Sequence, residues 1–120
     1  MNEDLKIRTK RFSIQIIHLI EKLPYTIPGK NVSNQLVRSG TSVGANYRAA
    51  RRARSDKEFV AKLNIVLEEV DECCFWLEII QELKWANVED ILKESNELTA
   101  IIVTILKKMN DKLNNKKQNE

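Results

Sequence analysis

Five basic residues fall within ten positions and are the part of this sequence best suited to chemistry: Arg48, Arg51, Arg52, Arg54 and Lys57. Arg38 lies ten residues earlier, within about 80° of Arg48 and Arg52 on one helical face. Grouped guanidinium and ammonium groups neutralise phosphates without reading base sequence. The pattern therefore indicates a surface that binds nucleic-acid backbone, and its candidate residues are Arg38, Arg48, Arg51, Arg52 and Lys57.

The distribution of charge along the chain leaves a second hypothesis open. Residues 31–62 carry seven basic and two acidic side chains, whereas residues 63–100 carry two basic and ten acidic ones. Such segments can pair with each other within or between subunits. The alternative function is thus a protein–protein interaction scaffold with no direct nucleic-acid role, in which Arg48 would serve assembly.

Other reactive side chains predict no enzyme and no cofactor. His18 is the single histidine, and no motif supplies the partners that a metal site or a general base requires. Cys73 and Cys74 are adjacent, so we interpret them as packed, reduced thiols. The acidic residues within 68–72 are nearly consecutive and would fan around a helix. We therefore predict no catalytic residue, no cofactor and no metal.

The elements that carry these residues are predicted to be long helices. The chain has 120 residues with only three Gly and two Pro, which suits one domain over residues 1–120. Ser55 and Glu58 form a capping box that begins the third helix. Apolar periodicity and the sparse breaks predict four helices, at about residues 5–23, 31–53, 56–84 and 88–113. Short links between them favour an all-α, up-down-up-down antiparallel four-helix bundle.

Two further features concern packing. Gly40 and Gly44 lie one turn apart inside the second helix, where glycine costs about 1 kcal/mol, so we expect a neighbouring backbone to approach closely there. A second apolar stripe points away from the predicted core, and an exposed stripe of this kind indicates an oligomer interface. Its residues are Ile7, Ile14, Ile65, Phe75, Trp76 and Ile79.

The N-terminal segment carries acidic residues early and lacks the apolar stretch of a signal peptide. No segment reaches the roughly 18 apolar residues that a membrane span needs. We therefore expect a cytoplasmic protein that has neither a membrane nor a small-molecule substrate among its partners.

The segment from Gln35 to Ile80 resembles a known family. Its motifs are QLVRSGTSVGANY at residues 35–47, ARSDKEFVAKL at residues 53–63, and Trp76-Leu77 near the end of an acidic helix. This run closely resembles the four-helix-bundle proteins encoded by intervening sequences of bacterial 23S ribosomal RNA genes. The accessory variability protein of diversity-generating retroelements looks like a relative of that family.

The resemblance implies properties that the residues alone do not. Members of the family form up-down four-helix bundles that assemble as homopentameric rings, and the relative is a basic pentamer that binds nucleic acid and a reverse transcriptase. By that resemblance, we expect a non-enzymatic pentameric accessory protein whose partners are its own copies and RNA or DNA, with a protein as a further candidate.

Overall fold

The protein is all α-helical in the computed structural model, which describes residues 2–118. It consists of four helices: α1 (Asn2–Ile20), α2 (Ile27–Arg51), α3 (Asp56–Glu82) and α4 (Glu89–Gln118). The terminal residues Met1, Asn119 and Glu120, which the predicted domain over residues 1–120 includes, lie outside the described part. The predicted all-α class is confirmed.

Contacts across the helix pairs establish the direction of each helix. On α1, Ile16 lies next to Gly40 of α2, and Lys10 next to Gly44, so α1 and α2 run in opposite directions. Lys112 of α4 contacts Asp56 of α3, while Ser95 contacts Cys74, so these helices are also antiparallel.

The pairing of α1 with α4 completes the bundle. Arg8 forms an ion pair with Glu94, and Leu19, near the other end of α1, lines a cleft together with Ile91 of α4. The two helices are therefore antiparallel, and the order of the four is up-down-up-down. Neighbouring helices pack extensively, whereas the seam between α1 and α4 is the least extensive.

Each helix contributes one apolar stripe to a common core. Most residues on these stripes are buried, and each fully buried Leu or Ile stabilises the fold by about 1.5–3 kcal/mol relative to an exposed position. The largest side chains without solvent contact include Phe12, Ile16, Leu36, Tyr47, Leu63, Leu77, Leu98 and Ile102.

The start of α2 corrects one prediction. The helix begins at Ile27, not at the predicted residue 31. Pro28 and Gly29, which commonly interrupt a helix, lie inside its first turn. Thr26 is the N-cap, and its hydroxyl accepts a hydrogen bond from the Gly29 amide at 3.2 Å. Proline is tolerated there because the first amides of a helix have no helical acceptor. Gly29 is needed because a Cβ would lie 2.0 Å from the Pro24 carbonyl oxygen.

The end of α3 is a Schellman motif built around a lysine. Leu83 is the C-cap, and Lys84 has a φ of 57°, in the left-handed region. The Lys84 amide donates to the Gln81 carbonyl and the Trp85 amide to the Ile80 carbonyl, each at 3.1 Å. Glycine normally occupies this position, so the sequence carried no clear signal for the stop.

Two helix ends also differ from the prediction. α1 ends at Ile20 and passes into turns, with the Leu23 amide donating to the Ile20 carbonyl at 3.2 Å. α4 continues to Gln118 rather than stopping near 113, because its polar tail contains good helix formers and neither Gly nor Pro. The N-cap predicted at Ser55 is confirmed, since its hydroxyl accepts from the Glu58 amide at 3.0 Å, while the return bond from the Glu58 side chain stays a prediction.

Gly40 and Gly44 of α2 allow α1 to pack closely, as expected. A Cβ on Gly40 would lie 2.7 Å from the Cγ2 atom of Ile16, and one on Gly44 would lie 3.2 Å from the Thr9 carbonyl oxygen. The Ser13 hydroxyl donates a hydrogen bond to the Gly40 carbonyl at 2.7 Å. The α1–α2 interface is therefore held at a short, defined separation.

Candidate nucleic-acid interface

A groove between α1 and α2 brings basic residues of both helices together. We call it the α1–α2 groove. It encloses about 300 Å³ and is lined by Lys6, Lys10, Ser13, Thr41, Gly44, Ala45 and Arg48. Its depth follows from Gly44 and Ala45, because larger side chains at these positions would fill the space between the helices. The basic side chains are surface-exposed and stand at its edges.

The charge of the α1–α2 groove is uniformly positive. Lys6, Lys10 and Arg48 contribute cations, and no carboxylate is among its lining residues. Within the described part of the chain, none of these three side chains takes part in an ion pair. The local excess of positive charge is therefore available to an anion from solution.

The hydroxyl groups in the α1–α2 groove are already committed as donors. Thr41 donates to the Val37 carbonyl at 2.6 Å, and Ser13 donates to the Gly40 carbonyl. Each hydroxyl has one hydrogen, so neither can donate to a bound anion without losing its backbone bond. An anion in the groove would therefore be held by charge, through the lysines and the arginine.

Arg38 belongs to a different cluster. Its guanidinium pairs with Glu69 at 3.2 Å and with Glu72, both on α3. The hydrogen bond with Glu72 is the main factor that raises the pKa of Arg38. The same Glu72 oxygen accepts from the Trp76 indole nitrogen at 3.1 Å. Arg38 is thus paired with α3, whereas Arg48 lines the groove with α1. The predicted contact of Arg38 with phosphate stays a prediction.

The other predicted basic residues lie where α2 ends and α3 begins. Arg52 and Lys57 are exposed there. Arg51 interacts with Tyr47: burial raises the pKa of Tyr47, and the hydrogen bond with Arg51 opposes that shift. The structure therefore brings Arg48, Arg51, Arg52 and Lys57 to one end of the bundle. Their contact with phosphate stays a prediction.

Lys6 and Lys10 were not among the predicted residues. They are one turn apart on α1, beside the apolar stripe, and this i,i+4 spacing is a signal that the sequence did contain. Their proximity to Arg48 depends on the register between α1 and α2. That register follows from the close packing at Gly40 and Gly44, which the spacing along one helix does not reveal.

The predicted interface residues differ in exposure. Ile7, Ile14, Ile65 and Phe75 are all more than 40% exposed, as expected for side chains outside the core. Ile79 is half-buried, and Trp76 packs partly against the core. Phe75 and Trp76 meet edge-on with ring centroids 5.0 Å apart.

Additional exposed apolar residues extend these stripes. Ile17 is 41% exposed on the outer side of α1, and Leu83, the C-cap of α3, is 54% exposed. Because α1 and α3 are diagonal in the bundle, their outer surfaces face in opposite directions. The molecule therefore carries two separate apolar stripes, whose role in assembly stays a prediction.

The remaining candidate residues lie apart from the α1–α2 groove. His18 is exposed, 3.9 Å from Glu21, while Cys73 and Cys74 are buried and unpaired by disulfide. Burial raises the pKa of Cys73 to about 12. Among residues 2–118, no three His, Cys, Asp or Glu side chains converge as metal ligands would. No helix in this part of the chain is both long and apolar enough to cross a membrane.

Comparison with known proteins identifies a family and a similar solved structure. Residues 3–110 match the 23S rRNA-intervening sequence protein family. A crystal structure of a protein of unknown function from the S23 ribosomal protein family of Bacteroides thetaiotaomicron superimposes with a TM-score of 0.76. It is 31% identical, and the alignment covers 88% of this chain and 97% of that one. No protein of curated function matches the chain significantly.

Proposed function

Because the chain belongs to the 23S rRNA-intervening sequence protein family, we propose that it is a non-enzymatic accessory protein that binds nucleic-acid backbone as a homo-oligomer. The oligomer is a pentameric ring, and the count of five subunits comes from the family resemblance. Binding uses the basic surface at the end of the bundle, where α2 meets α1 and the start of α3.

The observation that carries this proposal is the uncompensated positive charge at that end. Arg48, Arg52 and Lys57 are exposed, and no ion pair involves them in the part of the chain that the structure describes. Cations without carboxylate partners need not break an existing ion pair to contact phosphate. Arg38, by contrast, is already paired with α3, so it stabilises the bundle in this proposal.

The physics of such a surface defines its expected behaviour. Every phosphate contact releases condensed counterions, so affinity falls as salt rises, with a slope of about −0.9 per contact on duplex DNA and about −0.7 on single strands. A ring of copies raises the overall affinity, because several basic ends engage the same polyanion. Neither effect depends on base sequence.

Assembly is proposed to use the apolar stripes on α1 and α3. These stripes lie on different faces of one subunit, so a contact between them is head-to-tail, and a repeated head-to-tail contact closes into a ring when the rotation permits. Charge favours the same pairing. The α1 stripe is flanked by Arg11, and the α3 stripe by Glu68.

Fluorescence anisotropy of labelled RNA and DNA, measured against the protein over a salt series, tests the binding. We expect micromolar or tighter binding at low salt with a steep salt slope. Replacing Arg48 and Arg52 by Ala should weaken RNA and DNA binding at least tenfold. The control variant is Lys107→Ala/Lys108→Ala, which removes the same charge from exposed positions on α4. Absence of binding at low salt would contradict the proposal.

The scaffold hypothesis makes a different prediction from the same variant. It is favoured by the pairing of Arg38 with Glu69 and Glu72, which shows that the acidic helix attracts arginines. If Arg48 pairs with an acidic helix of a neighbouring subunit, Arg48→Ala should reduce the oligomer mass in light scattering. In the nucleic-acid proposal, the mass is unchanged and only affinity falls.

A further inference from the structure

The α1–α2 groove differs from an ordinary basic surface in being both concave and rigid. Its walls cannot separate freely, since Ser13 is hydrogen-bonded to the Gly40 carbonyl and Gly44 is packed against the backbone of α1. Lys10 and Arg48 extend from backbone that is held at this separation. Cations fixed around a cavity lose less entropy on binding an anion than cations on a flat surface.

The lining of the α1–α2 groove selects among ligands. It contains no aromatic ring and no large apolar side chain, so a nucleobase has nothing on which to stack. Its hydroxyl hydrogens are committed, so it offers no neutral donor for a sugar. What remains is three cations around a small cavity, which suits a compact anion of high charge density. A phosphate group, with its several acceptor oxygens, fits that description.

We infer that the α1–α2 groove is a discrete phosphate-binding site in which Lys6, Lys10 and Arg48 contact the phosphate oxygens. This inference rests on the proposed function in one respect, because it assigns the phosphate to a nucleic-acid backbone. It adds two residues of α1 to the binding surface and places one phosphate between two helices.

The phosphate can come from two sources, a phosphodiester of RNA or DNA or a free phosphate ion, and the experiment separates them. The first arm is an NMR titration of the ¹⁵N-labelled protein with inorganic phosphate, with chloride at matched ionic strength as reference. We expect saturable shifts of the Ser13, Thr41 and Gly44 amides. Lys6→Ala/Lys10→Ala should abolish these shifts, whereas Lys107→Ala/Lys108→Ala, with the same loss of charge, should retain them.

The second arm measures RNA and DNA anisotropy with the same variants. We expect Lys6→Ala/Lys10→Ala to weaken binding at least tenfold relative to Lys107→Ala/Lys108→Ala. Both lysine pairs are exposed, so the variants should retain the fold, and a thermal unfolding curve checks this directly.

The outcomes separate the two proposals. If nucleic acid binds wild type but the two double variants bind equally, and phosphate causes no saturable shifts in the groove, the phosphate site is overturned while the proposed function stands. If phosphate shifts the groove amides but neither RNA nor DNA binds, the site stands with free phosphate as its ligand and the proposed function fails. If Lys6→Ala/Lys10→Ala both abolishes the phosphate-induced shifts and weakens RNA or DNA binding, the backbone phosphodiester is the ligand.

Discussion

The Ser13 hydroxyl on α1 lies 2.7 Å from the carbonyl oxygen of Gly40 on α2. The hydrogen bond between them crosses the interface where Ile16 packs directly against Gly40. A Cβ on Gly40 would have three atoms of Ile16 within 2.9 Å. The same interface forms the floor and walls of the α1–α2 groove, so its packing bears on both stability and binding.

Replacing Gly40 by Ala tests this packing, because the substitution can either raise or lower the free energy of unfolding. Alanine favours a helix over glycine by about 1 kcal/mol, but overpacking a core costs about 1–3 kcal/mol. Because the new methyl group would meet Ile16, we expect a net loss of stability in urea unfolding. Asn34→Ala, at an exposed position of the same helix, is the control and should be neutral or stabilising. A stabilised Gly40→Ala protein would refute the close approach.

Lys84→Gly should stabilise the protein by about 0.5–1 kcal/mol. Lys84 occupies the left-handed region with a φ of 57°, which glycine adopts without steric cost. The comparison is Lys93→Gly, inside α4, where glycine should destabilise by about 1 kcal/mol. Thermal unfolding of both variants measures the effect, and equal losses would argue against the left-handed cap.

The buried thiol of Cys73 should make stability fall at high pH. Burial raises its pKa from 9.0 to about 12, so between these values the unfolded chain releases a proton that the folded chain retains. This contribution to stability is intact below pH 9.0 and decreases above it, by at most about 1.4 kcal/mol per pH unit.

Urea unfolding between pH 8 and 11 tests the thiol effect. Cys73→Ala should lose stability at all pH values because of its cavity but show a shallower decline above pH 9. Val70→Ala, which also truncates a fully buried core residue, should keep the wild-type decline. Parallel curves for all three proteins would mean that Cys73 does not titrate as stated.

Arg38→Ala and Arg48→Ala should affect different properties, although both remove one arginine from α2. Arg38 is paired with Glu69 and Glu72, so its loss should lower stability in a salt-sensitive way and leave nucleic-acid affinity nearly unchanged. Arg48 has no such pair, so its loss should reduce affinity and the salt slope by about one contact. Anisotropy measures the nucleic-acid affinity of both variants, and thermal unfolding measures their stability. Equal losses of affinity would place Arg38 in the binding surface.

Phe75→Gln should reduce the mass of the oligomer. Phe75 is 55% exposed on α3, so a polar replacement would weaken an apolar contact between subunits without removing a core residue. Val103→Gln is the control, because Val103 is 47% exposed on α4, outside both stripes. Sedimentation equilibrium of the two variants and wild type distinguishes them. A monomeric wild-type protein would contradict assembly altogether.

The apolar stripes could be predicted from the sequence because burial repeats at the helical period. Ile16, Val43 and Leu77 recur with other apolar residues at helical spacing, and all three are fully buried. The start of α3 was equally clear, since Ser55 and Glu58 carry the residue types of a cap. These features depend on residues close together in the chain.

Features that depend on tertiary register could not be predicted in the same way. The partner of Arg38 is on another helix, and Lys10 lines the same groove as Arg48 only because Gly40 and Gly44 bring α1 close. The cap at Lys84 was missed because a lysine occupies a position that usually holds glycine. Pro28 and Gly29 signalled a break, but their place inside the first turn depends on Thr26 as the N-cap.

The sparse seam between α1 and α4 has a consequence for how the chain folds during synthesis. Every other helix pair in the bundle is adjacent in sequence, so its contacts have low contact order and can form soon after the second member leaves the ribosome. Contacts such as Arg8 with Glu94 join the first helix to the last, so they form only after all four helices have been made. The nascent chain can therefore assemble progressively from its N-terminus, and α4 closes the bundle as the final step.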